Sequence, residues 1–312
     1  MKKLFLILAV LMLISTACQL GGGQAQPTPI AVATAIPTST SIPLNATAAP
    51  SSGNQAPGST RNSADGMTEV YIPAGSFQMG GIDPSATDVE KPVHKVTMPS
   101  FWIDKFDVTN AMYLGCVNKG VCTPPQAITS KTRSSYFNDS DFNDYPVIEV
   151  SWGQADAYCK WAGRHLPTEA EWEYAGRGST VNTYPWGSQA PDNTLANFNY
   201  EAGDTTKVGS YPAGASPFGV LDMAGNVAQW VADYFDPTYY SKGITMNPPG
   251  PGARTNYFNR VVRGGSWQDD ATGIRVSLRA SVLGPNPSAP ISSAAYLGDF
   301  SPKIGFRCAS DN

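Results

Sequence analysis

Residues 19 to 60 contain no Asp, Glu, Lys, Arg or His and are mostly Pro, Thr, Ala, Ser, Gly and Gln. Pro and Gly interrupt regular structure, and so little apolar surface cannot offset the entropy of ordering the chain. A core must therefore come from the residues beyond this segment. Residues 1 to 66 hold only Lys2, Lys3, Arg61 and Asp65 as charged groups, so residues 67 to 312 carry 18 of the 21 basic and 24 of the 25 acidic side chains. That body is mildly acidic and large enough for a full core. It has no basic excess to neutralise phosphates, so nucleic acid is not an expected partner. Charged residues make up only 15% of the chain, with 30 Gly, 26 Pro and 7 Trp, which excludes a coiled coil and points to a loop-rich globular body.

The N-terminus reads as an export signal. Lys2 and Lys3 precede an unbroken apolar run from Leu4 to Ile14, too short to span a bilayer but suited to a signal-peptide core. Ser15-Thr16-Ala17 supplies small residues for cleavage, and Cys18 follows. This resembles a bacterial lipobox, with Ser15 where Leu is usual. The expectation is a signal peptide over 1–17, lipid on Cys18, and a tether over 18–66 reaching roughly 35–42 Å. That would place the domain of residues 67–312 at the outer face of a bacterial membrane or at the cell surface. Plain cleavage after Ala17 would give a soluble secreted protein instead.

Four further cysteines remain: Cys116, Cys122, Cys159 and Cys308. An even set in an exported chain suggests two disulfides, with three pairings open. Cys116 and Cys122 can meet locally across a helix end and the Gly120 turn, and Cys159 and Cys308 would then close a long loop. No Cys-x-x-Cys spacing or nearby His supports zinc.

Residues 68–80 read as two short strands around Pro73-Ala74-Gly75, and 93–108 as further strands. Thr109 caps a helix from about Asn110 to Lys119, and Ser151 caps another that Gly163 stops. Thr168 and Glu171 form a capping box for a third. Beyond Gly176 the chain is nearly all loop and short strand. The fold class expected is α+β, irregular and single-domain.

IPAGSFQMG (72–80), FWIDKFDVTNAMY (101–113), PVIEVSWGQADAYCKWAGRHLPTEAEWEYAGRG (146–178), YPWG (184–187), GVLDMAGNVAQWVADYF (219–235), RVVRGGSW (260–267) and IGFRCAS (304–310) occur in this order. In content and order they resemble the sulfatase-modifying-factor family, the formylglycine-generating enzyme fold. The resemblance implies a domain with little regular structure, distantly similar to C-type lectins. Relatives link AYC to GFRC, which implies a Cys159–Cys308 bridge and leaves Cys116 with Cys122.

Active members oxidise a cysteine in a sulfatase peptide to formylglycine, with two thiolates just after a Gly-Gly-Ser-aromatic motif holding copper. Here that motif is Gly264-Gly265-Ser266-Trp267, and the thiol positions fall on Asp269 and Ile274. Neither residue replaces a soft thiolate for Cu(I), so copper is not expected. Asp269 with Asp270 reads as a solvated turn rather than a hard-metal site. His94 and His165 read as structural, which leaves an iron site hard to build. Calcium is the expected ion. One set comprises the Asp222 side chain, the carbonyls of Gly225 and Val227, and the Gln229 side chain, where relatives often have Glu. The other comprises Asn197, Phe198 and Asp204, with Thr206. The expected function is a non-catalytic module. It would bind a peptide, protein or glycan through exposed aromatics in a groove around Ser266, Trp267, Asp269 and Trp230. The alternative is an oxidoreductase of the formylglycine-generating or a related metal-dependent type with an altered site.

Overall fold

The computed structural model describes residues 55–252, 258–285 and 298–312. The signal peptide, Cys18 and the tether as far as residue 54 lie outside the described residues. Among the described residues no helix is long and apolar enough to cross a membrane.

Among the described residues, ten short strands, three α-helices and four short 3-10 helices make up the regular structure, an α+β composition. One antiparallel sheet has the order β1 (Thr60–Asn62), β2 (Thr68–Ile72), β5 (Phe101–Asp104), β10 (Ala309–Asp311). A two-stranded ladder pairs β3 (Gly75–Met79) with β4 (His94–Met98). The other sheet has the order β8 (Ala280–Leu283), β7 (Asn259–Arg263), β6 (Ala228–Tyr234), β9 (Ile304–Phe306), with β6 and β9 parallel. Strand β1 lies upstream of residue 67, inside the segment assigned to the tether from its lack of charge, its Pro and Gly and its thin apolar content. It is held by its ladder to β2 and by the Arg61–Glu69 ion pair at 2.8 Å, which composition does not reveal.

The three helices start where their caps place them. Thr109 accepts from the Met112 amide to open α1 (Asn110–Asn118). Ser151 with Gln154, and Thr168 with Glu171, form capping boxes on α2 (Trp152–Trp161) and α3 (Glu169–Arg177). One core cluster joins α3 to β2–β5 through Ile72, Phe77, Val96 and Trp172. Another packs α1 and α2 on β6, β7 and β9 through Tyr113, Tyr158, Trp230 and Phe306.

All nine residues of α3 are buried, although three are Glu and one is Arg. This is tolerated because the charges are matched: Arg263 bonds both Glu169 and Glu173, and Arg279 forks onto Glu169. Both disulfides are present, Cys116–Cys122 and Cys159–Cys308, with Cα separations of 5.3 and 5.5 Å. The second fastens α2 to the segment between β9 and β10.

Candidate functional site

Strand β7 runs into Gly264 and Gly265, both at positive φ (90° and 65°). A Cβ on Gly265 would stand 2.3 Å from the Gly273 carbonyl oxygen, and one on Gly264 3.1 Å from the Trp172 ring. Only glycine fits this close approach of two chain segments. The turn beyond is locked by carboxylates. Asp269 Oδ2 accepts from the Ser266 amide at 2.8 Å and from Ser266 Oγ at 2.6 Å. Asp270 Oδ1 accepts from Thr272 Oγ1 and from the amides of Thr272 and Gly273. These bonds, those of Thr272 first, hold Asp270 below the usual carboxylate range.

The chain thus turns back on itself between positions 269 and 274, and a Cβ on Gly273 would fall 2.6 Å from that of Asp269. Asp269 is engaged with Ser266, while Ile274 is fully buried among Tyr184, Ala196, Phe198 and Ala224. What this turn offers is a carboxylate and a packed aliphatic side chain.

The expected groove of exposed aromatics does not form. Trp230, Trp267 and Ser266 are all at 0% exposure. Large rigid apolar rings gain most from leaving water. Trp230 stays satisfied inside by donating Nε1 to the Val150 carbonyl at 3.0 Å. The Trp267 ring meets Tyr200 edge-on. Exposure near the turn belongs to Tyr200 instead, which is 59% exposed. Its neighbour Asn199 and Tyr200 itself both have left-handed φ, held by amide bonds to the carbonyls of Asp269 and Trp267.

A cavity of about 250 Å³ opens beside the turn. Gly264, Gly265, Asp269 and Gly273 of the turn line it. Ala228, Val262, Leu278 and Ile304 give an apolar floor, and Ala280–Val282 of β8 with Lys303 complete the wall. Of these, the sequence marks Gly264 and Gly265 through their motif and Asp269 as a candidate site residue. Lys303 stands directly before the IGFRCAS segment, and nothing in its spacing marks it.

The segments expected to bind calcium lie close together, since a Cβ on Gly225 would fall 2.3 Å from the Asn197 carbonyl oxygen. Gln229 Oε1 already accepts from Trp172 Nε1 at 2.6 Å and from Arg307 Nε at 2.7 Å, and its Nε2 donates to the Asp222 carbonyl. As an ion ligand it would have to give up two donors, one of them cationic, so the donor set at 222, 225, 227 and 229 fits calcium poorly. Burial raises the Asp222 pKa, against the Gly209 amide and the Arg307 charge.

The second set fits better in one respect. Asn197 Oδ1 is buried and has no hydrogen-bond partner among the described residues, while its Nδ2 donates to the Asp204 carbonyl at 2.9 Å. The Asp204 carboxylate accepts from Ser130 and Thr132, and Asn226 Oδ1 accepts from the Thr206 amide. Burial works against Asp204 ionisation, but those donors hold its pKa below the ordinary value. Among the described residues no group of three or more His, Cys, Asp or Glu gathers to hold a metal. His94 bonds the Pro92 carbonyl and abuts Tyr240, and His165 lies 3.4 Å from Glu171.

Residues 54–312 match the sulfatase-modifying factor enzyme 1-like domain. The formylglycine-generating enzyme of Streptomyces coelicolor is 33% identical, with 85% of this chain and 96% of that protein covered. The hercynine oxygenase of Mycolicibacterium smegmatis is also 33% identical, over 68% of this chain and 57% of that protein. Among solved structures, PvdO from Pseudomonas aeruginosa superposes with a TM-score of 0.67 at 25% identity, covering 83% of this chain and all of PvdO.

Proposed function

Since the chain belongs to the sulfatase-modifying factor family, we propose, from what stands at its two thiol positions, that it is a binding module without formylglycine-generating activity. The observation that carries this reading is the pair Asp269 and Ile274: one is hydrogen-bonded to Ser266 and the other is sealed in the core. Neither presents a soft ligand for copper or a thiolate to meet a substrate sulfur. The four cysteines within the matched domain are joined in pairs. A peptide is a better ligand than a glycan, because Trp230 and Trp267, on which a sugar would stack, lie inside the protein.

The signal-like residues 1–17 and Cys18 support export and lipid anchoring, with the binding cavity displayed outside the membrane. Calcium is proposed at the loop of Asn197, where the free Asn197 Oδ1 and the Phe198 carbonyl would be donors. The ion would supply rigidity to a loop that lacks strand pairing. The similarity to a formylglycine-generating enzyme and to a hercynine oxygenase supports the second reading, an oxidoreductase with altered chemistry. Metal analysis separates the two: bound copper or iron favours the enzyme.

The direct test incubates purified protein with a Cys-x-Pro-x-Arg peptide, oxygen, copper and a reductant, and seeks the aldehyde by mass spectrometry. No aldehyde is expected. Turnover that survives Cys116→Ser with Cys122→Ser would show that Asp269 and Ile274 do not disable the site.

A further inference from the structure

The cavity beside the glycine turn is small. At about 250 Å³ it falls under the roughly 300–1,000 Å³ typical of drug-sized sites, which suits one amino-acid residue rather than a long ligand. Its floor is apolar, but its walls carry two opposite charges. Lys303 lines it, and no acid among the described residues pairs with the ammonium. Asp269 lines it from the turn with Oδ2 taken by Ser266, while no described residue donates to its Oδ1.

Backbone also faces this space. Successive side chains of a strand point to opposite faces, yet Ala280, Ser281 and Val282 all line the cavity. The cavity therefore meets the main chain of β8, the terminal strand of its sheet among the described residues. A free cation, a free acceptor, an apolar floor and a terminal strand together match the needs of a chain end: anion capture, an N–H acceptor, a side-chain pocket and main-chain pairing.

Building on the binding-module reading, we propose that this cavity binds the free α-carboxylate of an apolar amino-acid residue. Lys303 takes the carboxylate, the floor takes the side chain, and Asp269 Oδ1 accepts an N–H of the ligand. The charge on Asp269 repels the carboxylate and leaves it to Lys303. Both a peptide C-terminus and a free amino acid carry this chemistry.

The experiment is calorimetric titration of the full-length chain with acetyl-Ala-Ala-Leu, with its C-terminal amide, and with free leucine, repeated on Lys303→Met. The expected result is at least tenfold tighter binding of the acid than of the amide, falling to under twofold in Lys303→Met with the melting temperature kept. Leucine binding more tightly than the tripeptide acid identifies a free amino acid as the source, and the reverse identifies a chain terminus; both uphold carboxylate capture. Equal affinity for acid and amide, an undiminished preference in Lys303→Met, or no binding of any of the three at millimolar concentration overturns the proposal. Such a failure leaves the non-catalytic reading standing, since that falls on aldehyde formation or on bound copper or iron.

Discussion

Glu90 shows how single residues hold this irregular fold together. Its side chain is fully buried, and it accepts from Arg275 at 2.8 and 2.9 Å, from Ser277 Oγ at 2.8 Å and from the Thr87 amide at 3.0 Å. Burial, the largest single influence, opposes ionisation, but these donors and the Arg275 charge outweigh it and bring the pKa down to about 2. A folded-state value below the unfolded one stabilises the protein above the unfolded pKa, and that contribution is lost as pH falls from about 4.5 towards 2. A fall from 4.5 to about 2 corresponds to on the order of 3 kcal/mol. Denaturant unfolding at pH 7, 4.5 and 2.5 should therefore show wild type losing about 3 kcal/mol more over this window than Glu90→Gln. Parallel losses in the two proteins would show that Glu90 is not the responsible group. The role of Glu90 is not legible in the sequence, because its partners Arg275 and Ser277 lie more than 180 residues away. Lys303 is not legible either, because nothing in the spacing around it marks it. Asp269, in contrast, is legible, because the Gly-Gly-Ser-aromatic motif beside it fixes its place.

Elements divide in the same way. The starts of α1, α2 and α3 follow from Thr109, Ser151 and Thr168, whose caps act within three residues of sequence. The burial of α3 does not follow from its own residues, since EAEWEYAGR reads as half polar until Arg263 and Arg279 are brought to it from other segments. Strand β1 escapes a sequence reading for a related reason: three exposed residues carry no hydrophobic pattern, and only the ladder to β2 defines them. The two disulfides differ in what they constrain. Cys159–Cys308 closes 149 residues and Cys116–Cys122 only six. In the chain-entropy account the long closure contributes about 5 kcal/mol and the short one about 2. Cys159→Ser with Cys308→Ser should lower stability in urea by the larger amount, and equal losses in the two double variants would reject the entropic account. Calcium at the Asn197 loop is tested at this scale too. With the ion at about tenfold over its dissociation constant the gain is near 1.4 kcal/mol. Chelation should lower the melting temperature of wild type and leave Asn197→Ala unmoved. A wild type confirmed metal-free and unchanged by re-addition would remove the ion from this loop.

At the scale of the whole molecule, the chain changes character near residue 54, where the matched domain begins. The domain is held by pairs such as Arg61 to Glu69, Arg275 to Glu90 and Cys159 to Cys308. Upstream, the chain from 19 onward offers no charge and little apolar surface for such pairing. The proposed lipid on Cys18 would hold this chain at a membrane surface. One acyl chain gives only marginal membrane binding, so stable anchoring needs more than one chain on Cys18. Expression in a bacterial host fed an alkyne fatty acid should label the protein and send it to the membrane fraction. Cys18→Ser should abolish both the label and the membrane localisation. The disulfide-bonded domain would still fold, since Cys18 lies outside the matched residues and both bridges are made among the other four cysteines. An unlabelled wild-type protein released in soluble form, with its N-terminus at Cys18, would instead establish simple cleavage after Ala17 and a secreted module. Membrane retention that persists unlabelled in Cys18→Ser would place the anchor in an uncleaved segment before it.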